Sequence, residues 1–173
     1  MGNSKQLNKL KWNEAAKAGL ILGGSLSVIY ILSYFTHGSF MDNAWGSIEF
    51  VTLGAVMFLA TKRYGRLRGE LSFTQALSFV ILLTFFSGII TGIASYLMRV
   101  WIAPEYYDNL YYEMINQAYG ENAQPILELY KQYGNNLSII MLSTMAVSVM
   151  QGAFLGLIVA AFTRSRNPFG YNK

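Results

Sequence analysis

Residues 73–98 read FTQALSFVILLTFFSGIITGIASYLM, without one Asp, Glu, Lys, Arg or His. About 20 mostly apolar residues, rising about 1.5 Å each, cross the hydrocarbon of a bilayer, so this stretch is long enough to span one. Three others follow the same rule. Segments of about 18–35 and 137–162 carry no charge, and about 44–61 carries only Glu49. In hydrocarbon every backbone N–H and C=O needs a partner within the protein, which leaves helices and closed barrels. Barrel strands alternate polar and apolar residues, and these segments do not. The expected fold is therefore all-α, an integral membrane bundle of four transmembrane helices forming a single domain over residues 1–173.

The remainder of the composition agrees. Of 173 residues, 53% are hydrophobic and only 13% charged, against about 25% charged in an average soluble protein. The absence of cysteine and of a Gly-X-Y period excludes disulfide scaffolds and collagen, and the apolar content excludes disorder. The 13 basic residues fall mostly on one side of the four spans. Lys5, Lys9, Lys11, Lys17, Lys62, Arg63, Arg66, Arg68, Arg164, Arg166 and Lys173 share it, leaving Arg99 and Lys131 opposite. The positive-inside rule then puts both termini and the 62–72 connection in the cytoplasm. With that distribution, the net charge of +4 points to anionic lipid as partner and to no nucleic acid. The first apolar stretch exceeds a signal peptide's core and no small-x-small cleavage site follows it, so it is expected to stay as a helix.

Local signals refine the outline. The polar arm 1–14 is expected to enter the first helix through an interfacial turn, with Trp12 at headgroup level. The connection Lys62–Glu70 contains Gly65 and Gly69, and is expected to turn on them. Ser72-Phe73-Thr74-Gln75 reads as a capping box opening the third helix. Between about 104 and 134, on the outer side, Tyr107, Leu110, Tyr111, Met114, Ile115 and Ala118 recur at helical spacing. Ile126, Leu127, Leu129, Tyr130 and Tyr133 do so after Pro125. These predict one or two short amphipathic helices, punctuated by Gly120 and Gly134. Seven tyrosines between Tyr106 and Tyr133 suit a wet–dry boundary. No internal repeat emerges.

Helices in lipid associate through close backbone approach at small residues. The first span has Ala15, Gly19, Gly23 and Ser27 at every fourth position. The third has Thr84, Gly88 and Gly92. The fourth has Thr144, Ser148, Gly152, Gly156 and Ala160, the longest such row, which is expected to place the fourth helix at the bundle centre. Only Gly54 serves the second.

Chemistry is sparse. With no cysteine and one histidine, His37, thiolate catalysis, iron–sulfur clusters and bis-histidine haem are excluded, and no cofactor or metal is expected. Gly65-Arg66-Leu67-Arg68-Gly69 lacks the order of a phosphate loop. His37, Ser39 and Asp42 are triad residue types, but they crowd one short connection and are read as loop polarity. Glu49 is an intramembrane ionisable group, a functional candidate by default. The plainer alternative is an interfacial carboxylate, hydrated or paired with Arg99 at the outer end of the third helix. Gln151 reads as an interhelical hydrogen bond. Glu49, Arg99 and Gln151 make up the one possible intramembrane polar site.

Three short motifs carry a family resemblance. They are Gly69-Glu70-Leu71-Ser72-Phe73-Thr74-Gln75-Ala76, Pro104-Glu105-Tyr106-Tyr107, and Ala160-Ala161-Phe162-Thr163-Arg164. With the overall layout they make the chain resemble the domain of unknown function 4199 family of small four-span bacterial membrane proteins. The resemblance implies a bacterial inner membrane and brings no known activity or site residues. The leading expectation for function is a non-enzymatic scaffold or accessory membrane protein with a lipid, membrane-protein or homo-oligomeric partner. The alternative is a small oligomeric transporter or channel, with a polar path along Glu49, Gln151 and the Ser/Thr rows.

Overall fold

A computed structural model describes residues 2–37 and 43–165. The chain forms α1 (Gly2–His37), α2 (Asn43–Arg68), α3 (Phe73–Leu97), α4 (Pro104–Tyr119), α5 (Ala123–Tyr133) and α6 (Leu137–Thr163). Four of these, α1, α2, α3 and α6, are long and apolar enough to cross a membrane. Phe40, Ser39 and Asp42 lie outside the described residues, as does the His37 side chain.

The helix boundaries have local causes. Ser72 Oγ accepts from the Gln75 N–H at 3.3 Å, and the Gln75 side chain accepts from the Ser72 N–H at 3.0 Å, the reciprocal pair of a capping box. α3 ends in a π-turn, Met98–Ile102, closed by the Ala103 N–H donating to the Met98 carbonyl at 2.8 Å. Pro104 then opens α4, where its missing N–H costs nothing. Gly120 breaks α4 from α5 at a φ of +51°. Asn136 caps α6, its side-chain oxygen accepting from the N–H of Ser138 at 2.9 Å.

Two connections differ from the sequence expectation. The arm before Ala15 is not a turn: α1 is helical from Gly2 onward. Residues 3–14 contain no Pro or Gly to break a helix, and contacts with the neighbouring helices tie this part down. Lys11 Nζ donates to Ser78 Oγ at 3.0 Å, and Glu14 pairs with Arg63 at 3.2 Å. Likewise α2 runs straight through Lys62 and Gly65 to Arg68. The Tyr64 ring stacks on Phe79 at 4.4 Å, which fixes that turn of helix before Gly65 can bend it. The reversal falls on Gly69 alone, at a φ of +94° that favours glycine.

The four long helices form a ring in the order α1–α2–α6–α3, in which α3 packs most extensively, on α6 and on α1. The expectation that α6 is central is corrected. In the most apolar stretch of each helix, 44% of α3 is buried against 22% of α6. A long small-residue row supplies one close contact face, whereas α3 is gripped on two. On one side Gly19 and Gly23 lie against α3: an added Cβ would stand 2.7 Å from the Leu83 carbonyl at Gly19 and 2.8 Å from that of Ser87 at Gly23. On the other, a Cβ on Gly88 would meet the Met145 backbone at 2.9 Å, and one on Gly152 would meet Thr84 Cγ2 at 2.7 Å. Gly92 and Gly156 sit in looser contact, with added Cβ atoms 3.4 Å from Met141 Cα and 3.1 Å from Val80 Cγ1.

The end of the bundle that bears the termini is filled by Leu22, Leu53, Met57, Tyr64, Phe79, Val80 and Leu83, all buried. There Ser165, just after α6, donates its N–H to the Leu71 carbonyl at 2.9 Å and accepts the Leu71 N–H on Oγ at 3.0 Å. This two-bond clip ties the α2–α3 turn to the end of α6.

Replacing Gly152 or Gly23 by Leu is expected to destabilise the protein by about 1–3 kcal/mol through overpacking. Gly24→Leu, at a site where no described atom lies within 4 Å of an added Cβ, is expected to change little. Melting of the purified variants in detergent checks this, and equal losses at Gly24 and Gly152 would refute the packing account.

Candidate functional site

The opposite half of the bundle is not filled. A cavity of about 380 Å³ opens there, lined from α1, α2, α3, α4 and α6. Its charged and amide lining residues are Glu49 on α2, Arg99 beyond α3 and Gln151 on α6. Hydroxyls complete it, chiefly Ser27, Thr91, Ser95, Thr144 and Ser148. Apolar pockets are the norm for ligands, so a void this rich in polar groups between spanning helices is unusual.

Each lining group arrives by helical register. Thr91, Ser95 and Arg99 recur every fourth residue and so share one face as α3 passes into its π-turn. Thr144, Ser148 and Gln151 do the same on α6 at spacings of four and three. Glu49 lies six residues into α2, about 9 Å from that helix's start at 1.5 Å per residue. Gln151 lies fourteen residues into α6, about 21 Å from its start. The void therefore runs along the helices for part of their length, and the exposure of both Glu49 and Gln151 leaves it open on the α2–α6 side.

Three of these hydroxyls are polarised in one sense. Ser27 Oγ donates to the Gly23 carbonyl at 2.7 Å, Thr91 Oγ1 to Ser87 at 3.1 Å, and Thr144 Oγ1 to Ile140 at 2.8 Å. A hydroxyl that spends its proton on a helix carbonyl keeps oxygen lone pairs for whatever else reaches it. The wall is accordingly rich in acceptors, and the Glu49 carboxylate adds to it.

Arg99 is the counterweight. Its guanidinium donates to the Tyr111 hydroxyl and lies over the Tyr111 ring at 4.6 Å and the Tyr107 ring at 5.7 Å. Such cation–π contacts stabilise a partly desolvated cation. Its Nε is buried and has no hydrogen-bond partner among the described residues. Tyr107, only 3% exposed, shares a hydrogen bond with the Tyr30 hydroxyl of α1. Tyr106 packs edge-on against Tyr34 at 5.6 Å. Through these rings α4 caps the bundle rather than lying apart from it.

The structure thus brings Glu49, Arg99 and Gln151 to one cavity, but not into the bonds expected for them. Among the described residues Glu49 forms no ion pair, because Arg99 is drawn up into the tyrosines of α4 instead. Gln151 lines the void and makes no interhelical hydrogen bond among the described residues. It and Glu49 are both exposed, which agrees with the expectation of a hydrated Glu49 carboxylate. The tyrosines that hold Arg99 were legible only as interfacial aromatics. Their spacing from Arg99 carries no signal of contact, since the π-turn sets it. The Thr91–Ser95–Arg99 stripe, in contrast, was present at spacing four and pointed to a polar face of α3.

Glu14 is a second group that sequence reading passed over. It is 8% exposed and bridges Lys17 at 3.1 Å and Arg63 at 3.2 Å. It sits twenty residues before Tyr34 on α1, about 30 Å along the helix, close to a hydrocarbon thickness. Ionic groups at one end and tyrosines at the other therefore bracket one bilayer's depth. Among the described residues no three His, Cys, Asp or Glu gather as a metal site.

With that geometry in place, comparison adds a family. The family model described as "Protein of unknown function (DUF4199)" matches residues 17–165. The chain belongs to that family. Membership covers all four long helices and the cap, so the cavity lies wholly inside the matched region of this DUF4199 protein. No curated protein and no solved structure matches it significantly.

Two tyrosines of the cap, Tyr107 and Tyr130, titrate late. Burial pushes the Tyr107 hydroxyl far above its ordinary value, and the adjacent Tyr30 adds to this. Burial also raises Tyr130, followed by the Asp108 carboxylate that accepts its hydroxyl at 3.1 Å. A folded-state value above the ordinary one of about 10 means stability that is complete below pH about 10 and lost as pH rises through the folded value. An absorbance titration is expected to show part of the twelve tyrosines ionising late, and Tyr130→Phe should remove part of that delayed fraction. Simultaneous ionisation of all twelve near the ordinary value would refute the buried cap.

Proposed function

We propose that this protein is a non-enzymatic protein of a bacterial inner membrane that admits a small polar solute into the vestibule between its helices, as the binding stage of a small transporter or channel. The supporting observation is the cavity of about 380 Å³ that holds Glu49, Arg99 and Gln151 together, within the range of about 300–1,000 Å³ typical of small-molecule sites. Polar groups facing a void between spanning helices are costly unless water or a ligand meets them. A protein serving only as a scaffold has no use for that cost. The packed half beyond Leu22, Met57 and Phe79 closes the vestibule toward the end where α1 starts and α6 ends, and the exposed Glu49 and Gln151 leave it open between α2 and α6. The basic residues, crowded at that same closed end, support a cytoplasmic position for it and a vestibule in the outer half of the bundle.

A scaffold or accessory role has its own supporting observation. α5 packs mainly on α4 and leaves Leu129 57% and Tyr133 45% exposed, a face that a membrane-protein partner or second copy could cover. That face and the vestibule are separate, so an accessory contact on α5 is compatible with solute binding below it.

The cysteine-free chain allows a direct test. Ser148→Cys and Ser95→Cys are expected to react in intact cells with a membrane-impermeant thiol reagent added outside, whereas Leu83→Cys, in the packed half, is not. If Ser148→Cys and Ser95→Cys stay unlabelled the vestibule is dry, and if they label only from the cytoplasmic side the orientation is reversed.

A further inference from the structure

We infer that the vestibule ligand is a small zwitterion, with a primary ammonium held by Glu49 and the hydroxyl wall and an anionic oxygen group held by Arg99. The inference rests on the vestibule reading above and adds the chemical class of what enters. Two opposite charges line one cavity, yet they do not pair: Arg99 bonds Tyr111, and Glu49 has no ion-pair partner among the described residues. Glu49 is exposed, but it stands six residues inside a helix long enough to cross a membrane, where an unpartnered charge is costly. A ligand carrying both signs relieves both charges. A simple cation would leave Arg99 as it is, and a simple anion would leave Glu49.

The hydrogen-bonding capacity of the two sides matches those two ends. The Glu49 side is rich in acceptors: the carboxylate itself, the Gln151 amide oxygen, and the hydroxyls of Ser27, Thr91 and Thr144, which have committed their protons to helix carbonyls. An ammonium brings three donors and no acceptor, which is what such a wall needs. The Arg99 side offers donors. The guanidinium, held beside the Tyr107 and Tyr111 rings, keeps further N–H donors beyond the one given to Tyr111. A carboxylate or phosphate oxygen meets these. Neutral polyols fit neither side fully, since each of their hydroxyls both donates and accepts. Two sources supply this chemistry, a free amino-acid-like solute and the headgroup of phosphatidylethanolamine.

Purified protein in maltoside detergent, free of amine lipid, is titrated by calorimetry and thermal shift with glycine, β-alanine and γ-aminobutyrate, and in parallel with propylamine, butyrate and glycerol. At least one zwitterion is expected to bind ten-fold or more tightly than any single-function probe. Glu49→Gln and Arg99→Gln are each expected to weaken it ten-fold or more, and Arg99→Lys serves if Arg99→Gln does not fold. In nanodiscs, competition by added phosphatidylethanolamine but not phosphatidylglycerol assigns the headgroup as ligand, and unchanged zwitterion binding assigns the free solute. Glycerol or propylamine binding as tightly as the zwitterions would overturn the ligand class, as would zwitterion affinity unchanged in Glu49→Gln. So would the failure of every zwitterion and of phosphatidylethanolamine to bind while Ser148→Cys still labels, an outcome that leaves the vestibule itself standing. No binding together with no labelling removes the vestibule reading as well.

Discussion

Everything in this bundle depends on how near two helices can come to α3. Lipid tails are no less apolar than Leu or Ile, so burying side chains against each other gains little over burying them in lipid. What holds helices together is dispersion at backbone distance, available only where no side chain intervenes. α3 meets that condition twice, against Gly19 and Gly23 of α1 and against Gly152 of α6, while contributing Gly88 itself. α2 lacks such a face: Gly54 touches nothing described. It is held instead by Tyr64 on Phe79 and by the Glu14–Arg63 pair, both toward the end that bears the termini.

The interior is asymmetric in the same sense. Where α2 is tied down, the four helices close on Met57, Tyr64, Phe79 and Leu83. Toward the cap, the space inside the ring is left to Glu49 and the hydroxyls of α1, α3 and α6. The cap then acts on the electrostatics of the void. By drawing Arg99 into the rings of Tyr107 and Tyr111, α4 keeps the cation from neutralising Glu49 and leaves both charges available.

How much of this was legible can be judged residue by residue. The capping box at Ser72 and Gln75 and the tyrosine-rich helical cap were legible because their causes are local, a side chain bonding its own turn or apolar residues recurring at helical spacing. The helical arm before Ala15 was missed because its stability comes from Ser78 and Arg63, residues distant in sequence. The turn at Gly69 was anticipated, but an equal part was assigned to Gly65, which the Tyr64–Phe79 stack keeps helical. A row of five small residues suggested α6 as the centre, yet counting small residues on one helix cannot reveal that another is contacted on two faces. Glu49, Arg99 and Gln151 were singled out for being polar within apolar spans. The bonds assigned to them came from proximity along helices drawn as straight rods, and the π-turn after Leu97 redirects Arg99.

The sequence by itself determined the solvent and the number of helices. Hydration of so few charges cannot support so much apolar surface in water, and the length of each neutral stretch follows from its rise per residue. It also determined where several helices start, since caps are bonds within one turn. Only the tertiary structure decided the order of the ring, the central place of α3 and the existence of the polar void. Those depend on which faces of separate helices approach within van der Waals distance, and residues sixty or more positions apart carry no mark of that approach until the chain has folded.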